Sequence, residues 1–180
     1  MHPKLPPLQF VRSVLKSFMA ESGLEPRLLG GNVSPMVTMM SSQLNQQTAN
    51  RLKILHGGTI ASMVDLGGSL AVASTGLYAT GVSTDLNVTY LSGGGKVGDK
   101  ITGSAICDKS KSPFRQSNRD GKSIDVYSVG KTLAYTSVTF RNSNGELAAR
   151  GSHTKYVTQA VKTQESPFVP PEGAEIADEK

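Results

Sequence analysis

Apolar positions along the chain change period in a fixed order. Within residues 9–20, Phe10, Val11, Val14, Leu15 and Phe18 recur at three- and four-residue steps with Arg12 and Lys16 opposite, predicting an amphipathic helix. A second helical period opens near Gly58 or Thr59, where Ile60, Met63, Val64, Leu70 and Ala71 form a stripe along one face. Asp65 is the single carboxylate in that run, and Gly67 and Gly68 break it further. Each glycine costs about 1 kcal/mol relative to Ala in a helix interior, so the pair predicts a helix wrapped tightly, with another backbone close by.

From residue 82 the period drops to two. Over 82–91, Val82, Leu86, Val88 and Tyr90 fall on one face and Ser83, Asp85 and Asn87 on the other. Strands follow at 100–108, with Ile101, Gly103, Ala105 and Cys107 on one side, and at 131–141. Asn144-Gly145 is a strong hairpin signal that pairs 131–141 with 146–158. A poorly alternating stretch at 37–44 is read as the first strand, after a turn at Gly30-Gly31-Asn32. The order of elements predicts an α+β domain over residues 9–158.

Three segments fall outside the pattern. Residues 1–8 are Pro-rich and read as a flexible N-terminus. Residues 109–129 carry Lys, Ser, Arg, Asn, Asp, Gly and Pro with little periodicity, predicting an inserted loop within a hairpin. Residues 159–180, with Pro167, Pro170, Pro171 and five acids, predict a disordered acidic tail.

Composition narrows the function. At 37% hydrophobic residues, 180 residues suffice for one core. Cys107, the sole cysteine, forms no internal disulfide and has no cysteine partner for a metal, which suits a reducing compartment, cytoplasmic or mitochondrial matrix. The 9–20 helix lacks acids until Glu21, as mitochondrial presequences do, but its apolar face fits docking onto the domain. No run approaches the roughly 20 apolar residues of a membrane span. The net charge of +5 includes a tail of two Lys against five acids, so the preceding 158 residues carry +8. That balance suits a phosphorylated small molecule; no zinc-finger spacing, RNA-binding signature or Lys/Arg block supports a nucleic-acid partner.

The candidate chemistry sits where the second helix opens, at His56-Gly57-Gly58. The first amides of a helix lack internal acceptors and lie at the positive end of its dipole, so Gly57 and Gly58 can present N–H groups to a ligand oxygen as an oxyanion hole does. Taken alone, the same residues also read as a turn before a helix, with Asp65 facing water.

Four motifs in order decide between these readings. His56-Gly57-Gly58 with Asp65, then Gly81-Val82-Ser83-Thr84-Asp85-Leu86-Asn87-Val88-Thr89-Tyr90, then Gly130-Lys131-Thr132-Leu133-Ala134-Tyr135-Thr136-Ser137, then Gly151-Ser152-His153-Thr154-Lys155 closely resemble the PaaI-like branch of the hotdog-fold acyl-CoA thioesterases. The resemblance implies a long antiparallel sheet around a central helix, a homodimer with one continuous sheet and two interfacial sites, and a homotetramer of two such dimers. It implies hydrolysis of acyl-CoA, medium- to long-chain fatty acyl-CoA in particular, without metal or cofactor.

By resemblance, Asp65 is the general base, or the nucleophile, and crosses to the partner's His-Gly-Gly turn. The Gly57 amide polarises the thioester carbonyl, and Asn50 orients water or carbonyl. His56 sits by the leaving thiolate, and Ser83 holds the water against Asp65. Gly58, Lys131, Thr132, His153 and Lys155 are assigned to substrate and coenzyme A binding. Without the resemblance Asn50 is a loop or cap residue, His56 a turn residue and Ser83 a strand-edge hydroxyl. Two other functions fit the fold: an enoyl-CoA hydratase or dehydratase, whose Asp-His motif is spaced differently, and a non-catalytic acyl-CoA-binding module, against which Asp65 argues. The insert departs from the family and leaves a lid, a disordered loop or a coding-model artefact open; its Lys109, Lys111, Arg115, Arg119 and Lys122 either grip coenzyme phosphates or obstruct the site.

Overall fold

A computed structural model of the protein describes residues 4–21, 33–34, 37–108, 110–117, 123–164 and 166–177. The expected turn at Gly30-Gly31-Asn32 lies outside them. The elements are α1 (Pro7–Glu21), β1 (Val33–Ser34), β2 (Val37–Gln43), α2 (Gly57–Ala73), β3 (Val82–Tyr90), β4 (Lys100–Cys107), β5 (Ser110–Ser117), β6 (Ser123–Val129), β7 (Leu133–Arg141), β8 (Leu147–Tyr156) and α3 (Thr158–Thr163). Six strands make one antiparallel sheet in the order β1-β2-β4-β7-β8-β3, curled around α2. This is the expected α+β hotdog architecture.

Helix α2 is buried on more than the predicted stripe. Ile60, Met63, Val64 and Ala71 pack with Ile101, Ala105, Val138, Phe140 and Ala149 of the sheet. Leu70 and Ala73 pack on the other side against Phe10, Val11 and Val14 of α1. Two glycines set these approaches. A Cβ at Gly151 of β8 would lie 2.7 Å from Val64 Cγ2 of the helix. One at Gly68 would lie 2.6 Å from both His153 Nδ1 and Thr136 Oγ1. The neighbours that demand Gly68 are therefore side chains of β7 and β8, not the backbone expected from the sequence.

Edge strand β3 corrects the two-faced reading of 82–91. Its register against β8 shifts between Ser83 and Asp85, so that Ser83 lies opposite Lys155 and Leu86 opposite His153. Both partners are inward-facing and buried. The bulge thus turns Ser83 to the same face as Leu86 and Val88, while Val82, opposite outward-facing Tyr156, is left 69% exposed.

The outlying segments are more structured than their composition predicts. In the insert, β5 and β6 pair antiparallel with each other as a separate two-stranded sheet, between β4 and β7, which pair as expected. Backbone pairing needs no side-chain periodicity, which is why the sequence read as a loop. The tail is corrected likewise: α3 continues from β8, the Gln164 side chain donates to the Gly76 and Ser166 carbonyls and accepts from the Tyr78 N–H, and Phe168 is buried edge-on against Phe10 at 5.5 Å. The N-terminus is held by the same contact, with Leu5 buried and its N–H donating to the Phe168 carbonyl at 3.0 Å. One aromatic side chain and one glutamine thus offset the polar average of the segment.

Candidate active site

The predicted residues fall into two groups at different points along α2. The first lies at the helix start. His56 is the N-cap, and its Nδ1 accepts the Gly58 N–H at 2.8 Å. The first amide, that of Gly57, has no hydrogen-bond partner among the described residues, and the Tyr90 hydroxyl donates to the Gly57 carbonyl at 2.9 Å. Because Nδ1 is the acceptor, neutral His56 carries its proton on Nε2, which is left exposed. The Gly58 N–H assigned to substrate is thus already satisfied within the chain, leaving Gly57 as the available donor.

Asn50 lies in the loop that leads to this turn. Its Oδ1 accepts the Leu52 N–H at 2.8 Å and the Ile54 N–H at 3.4 Å. With the oxygen held by its own loop, the Nδ2 donor is the end that can meet a carbonyl. Of the two roles expected for Asn50, carbonyl orientation fits this geometry.

The second group surrounds Asp65, two turns further along. Ser83 Oγ donates to Asp65 Oδ1 at 3.3 Å, and His153 Nε2 lies 2.9 Å from Ser83 Oγ and 3.3 Å from Asp65 Oδ1. His153 is fully buried, while the Asp65 side chain is 54% exposed. Burial and the neighbouring Lys155 cation push the His153 pKa below its ordinary value, against the opposing pull of Asp65, so the imidazole is neutral at pH 7. His153 Nδ1 is buried without a partner, which is tolerable for a bare lone pair and costly for an N–H, so the proton resides on Nε2. The bonds then run one way: His153 Nε2–H to Ser83, and Ser83 O–H to Asp65. Asp65 Oδ2 is left for a ligand.

His153 and Lys155, expected on the coenzyme, instead point into the core. Residues 149, 151, 153, 155 and 157 form the inward phase of β8 and its end, and Lys155 Nζ donates to Ser69 Oγ of α2 at 2.9 Å with 4% of the residue exposed. Strand phase, not the polarity of the side chain, decides their burial. Lys131 and Thr132 are exposed in the connection from β6 to β7, where their carbonyls accept from Thr158 Oγ1 and the Val157 N–H. Sequence reasoning missed Ser69, Thr136 and Tyr90; Thr136 Oγ1 donates to the His153 carbonyl at 2.8 Å. A polar residue in the apolar phase of a strand, as at 136, 153 and 155, is the signal that could have found this network.

A model of the thioesterase superfamily matches residues 52–112, from just before the His56 turn through Asp65 and Ser83. A Schizosaccharomyces pombe protein named as an esterase is 37% identical over 158 residues, spanning 86% of this chain and 86% of its own. The chain belongs to the thioesterase superfamily. Human acyl-coenzyme A thioesterase 13 is 32% identical over 154 residues, covering 83% of this chain and 95% of that one. The crystal structure of mouse thioesterase superfamily member 2 superposes with a TM-score of 0.65 at 29% identity, covering 85% of this chain and 98% of its own. The fold of this thioesterase-superfamily chain also matches E. coli PaaI, with a TM-score of 0.57 at 16% identity over 82% of this chain and 95% of that one. Among the described residues no cluster of three His, Cys, Asp or Glu side chains could hold a metal ion, and no helix is long and apolar enough to cross a membrane.

Proposed function

We propose that the protein hydrolyses acyl-CoA thioesters, medium- to long-chain fatty acyl-CoA foremost, to free acid and coenzyme A. The observation that carries this reading is the division of α2 into an oriented carboxylate and an unpaired amide. Eight residues separate Gly57 from Asp65, about 12 Å at 1.5 Å per residue, too far for both to reach one carbonyl. A second copy of the chain, with its own Gly57 beside the first copy's Asp65, completes each site. The exposed edge strand β3, which carries Ser83 and Tyr90, is the natural seam of such a homodimer. We infer further that two such dimers associate as a homotetramer, the assembly that the resemblance implies.

In the proposed reaction Asp65 takes a proton from water as its oxygen attacks the thioester carbonyl carbon. The carbonyl oxygen becomes an oxyanion held by the Gly57 N–H and Asn50 Nδ2 of the other copy, a donor role worth about 3–4 kcal/mol in other enzymes. The C–S bond breaks as the oxyanion collapses; the exposed His56 Nε2–H hydrogen-bonds the departing thiolate, which takes its proton from solvent, to which Asp65 returns the proton it accepted. Ser83 and His153 hold Asp65 Oδ1, so that Oδ2 faces the water. With Asp65 as nucleophile the same donors would stabilise formation of an acyl anhydride. Mixing the purified protein with a panel that includes acetyl-, octanoyl- and palmitoyl-CoA tests the function: thiol release is expected. A change in enoyl-CoA absorbance without thiol would make the protein a hydratase, and binding without either would make it an acyl-CoA-binding module.

A further inference from the structure

Lys155 has no task in that scheme, yet it is the most fully buried cation among the described residues. Among the described residues its ammonium has one hydrogen-bond partner, Ser69 Oγ, a neutral group. A buried ammonium is costly to hold on one hydroxyl alone, so its charge calls for an anion nearby. Ser69 stands four residues after Asp65, hence one turn along the same face of α2. The groups around Lys155 are few. Helix α2 offers Asp65 and Ser69, its own strand offers neutral His153, β3 offers Ser83 with Asp85 beyond it at the exposed edge, and β7 places Ala134 opposite. Burial lowers the Lys155 pKa from the ordinary lysine value, and the charge that opposes this is Asp65.

We propose that Lys155 is a positioning residue for hydrolysis: a buried cation, anchored on Ser69 one helical turn from Asp65, that favours the carboxylate form of Asp65 once acyl-CoA covers it. The proposal rests on Asp65 being the base. Covering a half-exposed carboxylate strips its water and favours the neutral acid, which cannot accept a proton. A counter-charge on the surface would be screened by salt or displaced by the coenzyme, whereas one inside the sheet is neither. The requirement is greatest in the substrate complex, so it belongs to kcat more than to kcat/KM.

Replacing Lys155→Met removes the charge and keeps the length. The acid limb of the kcat–pH profile is expected to move up by about one pH unit, farther than that of kcat/KM, with KM at pH 8 within a few-fold of the parent. Unmoved acid limbs in an assembled Lys155→Met protein would overturn the proposal. A second measurement needs no altered core: carbon NMR of the wild type labelled at Asp carboxyls, with the Asp65 resonance identified by its loss in Asp65→Asn. That resonance should shift in the acid range and again at alkaline pH as Lys155 loses its proton; a single acidic step would overturn the pairing. Full turnover by Asp65→Asn would sink the base reading instead, while the NMR titration, which needs no turnover, would still decide whether Lys155 and Asp65 are coupled.

Discussion

The two ends of the candidate site along α2 are built by different means. At the Asp65 end, side chains from three elements converge: Asp65 and Ser69 from the helix, Ser83 from β3, His153 and Lys155 from β8. At the Gly57 end the reactive group is backbone, one unpaired amide exposed by the absence of a side chain and framed by His56, Asn50 and Tyr90. A carboxylate must be oriented and kept charged, which takes a buried network. An amide at a helix N-terminus is already oriented and polarised, and takes little more than access. One end is therefore sensitive to side-chain chemistry and the other to steric approach.

The hardest test breaks the side-chain end. Asp65→Asn preserves size but cannot accept a proton from water, so kcat should fall by about 10² to 10⁴-fold with the assembly, measured by light scattering, unchanged. Near-parental kcat would remove Asp65 from the mechanism.

Mixing variants sharpens the comparison. Asp65→Asn cripples one end and Asn50→Ala the other, each in every site of its own homodimer. A heterodimer of the two has one site with both defects and one with neither, so about half of the parental activity per verified heterodimer should return. Heterodimers as inactive as their parents would show that both ends of one site come from one chain.

Gly68→Ala attacks the packing beneath the carboxylate. Its Cβ would come within 2.6 Å of His153 Nδ1 and Thr136 Oγ1, and both lie on strands that cannot easily retreat. A loss of about 1–3 kcal/mol is expected, which for a chain of this size lowers Tm by roughly 2–4 °C per kcal/mol. Restoring room with His153→Ala in the same chain should recover part of the Tm but not the activity. An undiminished Tm in Gly68→Ala would show that the strands give way freely.

The same comparison explains what could be read from the sequence. The Gly57 end was legible because its chemistry is local: a His-Gly-Gly turn at the start of an apolar period defines a helix N-terminus and its free amide. The long strands were legible from their period-two pattern, and the 131–158 hairpin from Asn144-Gly145, whose glycine has the positive φ that such turns require. The resemblance put Ser83 beside Asp65, but the rest of the network, His153, Lys155 and Ser69, was not legible, because it depends on a one-residue bulge that turns Ser83 inward and on the phase of β8, both set by pairing over some 70 residues. The tail was misread for a similar reason: Phe168 and Gln164 find partners at Phe10 and Gly76 that no local window contains.

His153 also gives a smaller, pH-dependent effect. Its pKa is lowered in the folded protein, so below about pH 6.5 the unfolded chain binds a proton that the native chain refuses, and stability falls as pH drops through that window. His153→Gln has no titrating group there, so its Tm should decline less between pH 7 and pH 5 than that of the parent. Parallel Tm curves would mean that His153 is protonated equally in both states.

The smallest effect belongs to the backbone end. Tyr90→Phe removes the hydroxyl that donates to the Gly57 carbonyl but keeps the ring that lies 3.3 Å from where a Gly57 Cβ would stand. A neutral hydrogen bond contributes about 0.5–1.5 kcal/mol, and this one is exposed, so water can replace it and the lower part of that range applies. The Gly57 N–H itself is aimed by the helix and the His56 cap, neither of which the substitution alters. We therefore expect kcat to fall by about two- to fivefold with the kcat–pH profile unmoved, since no charge has changed. A loss comparable to that of Asp65→Asn would mean that the first turn of α2 relies on Tyr90 for its position, and that the amide end needs side-chain support as much as the carboxylate end does.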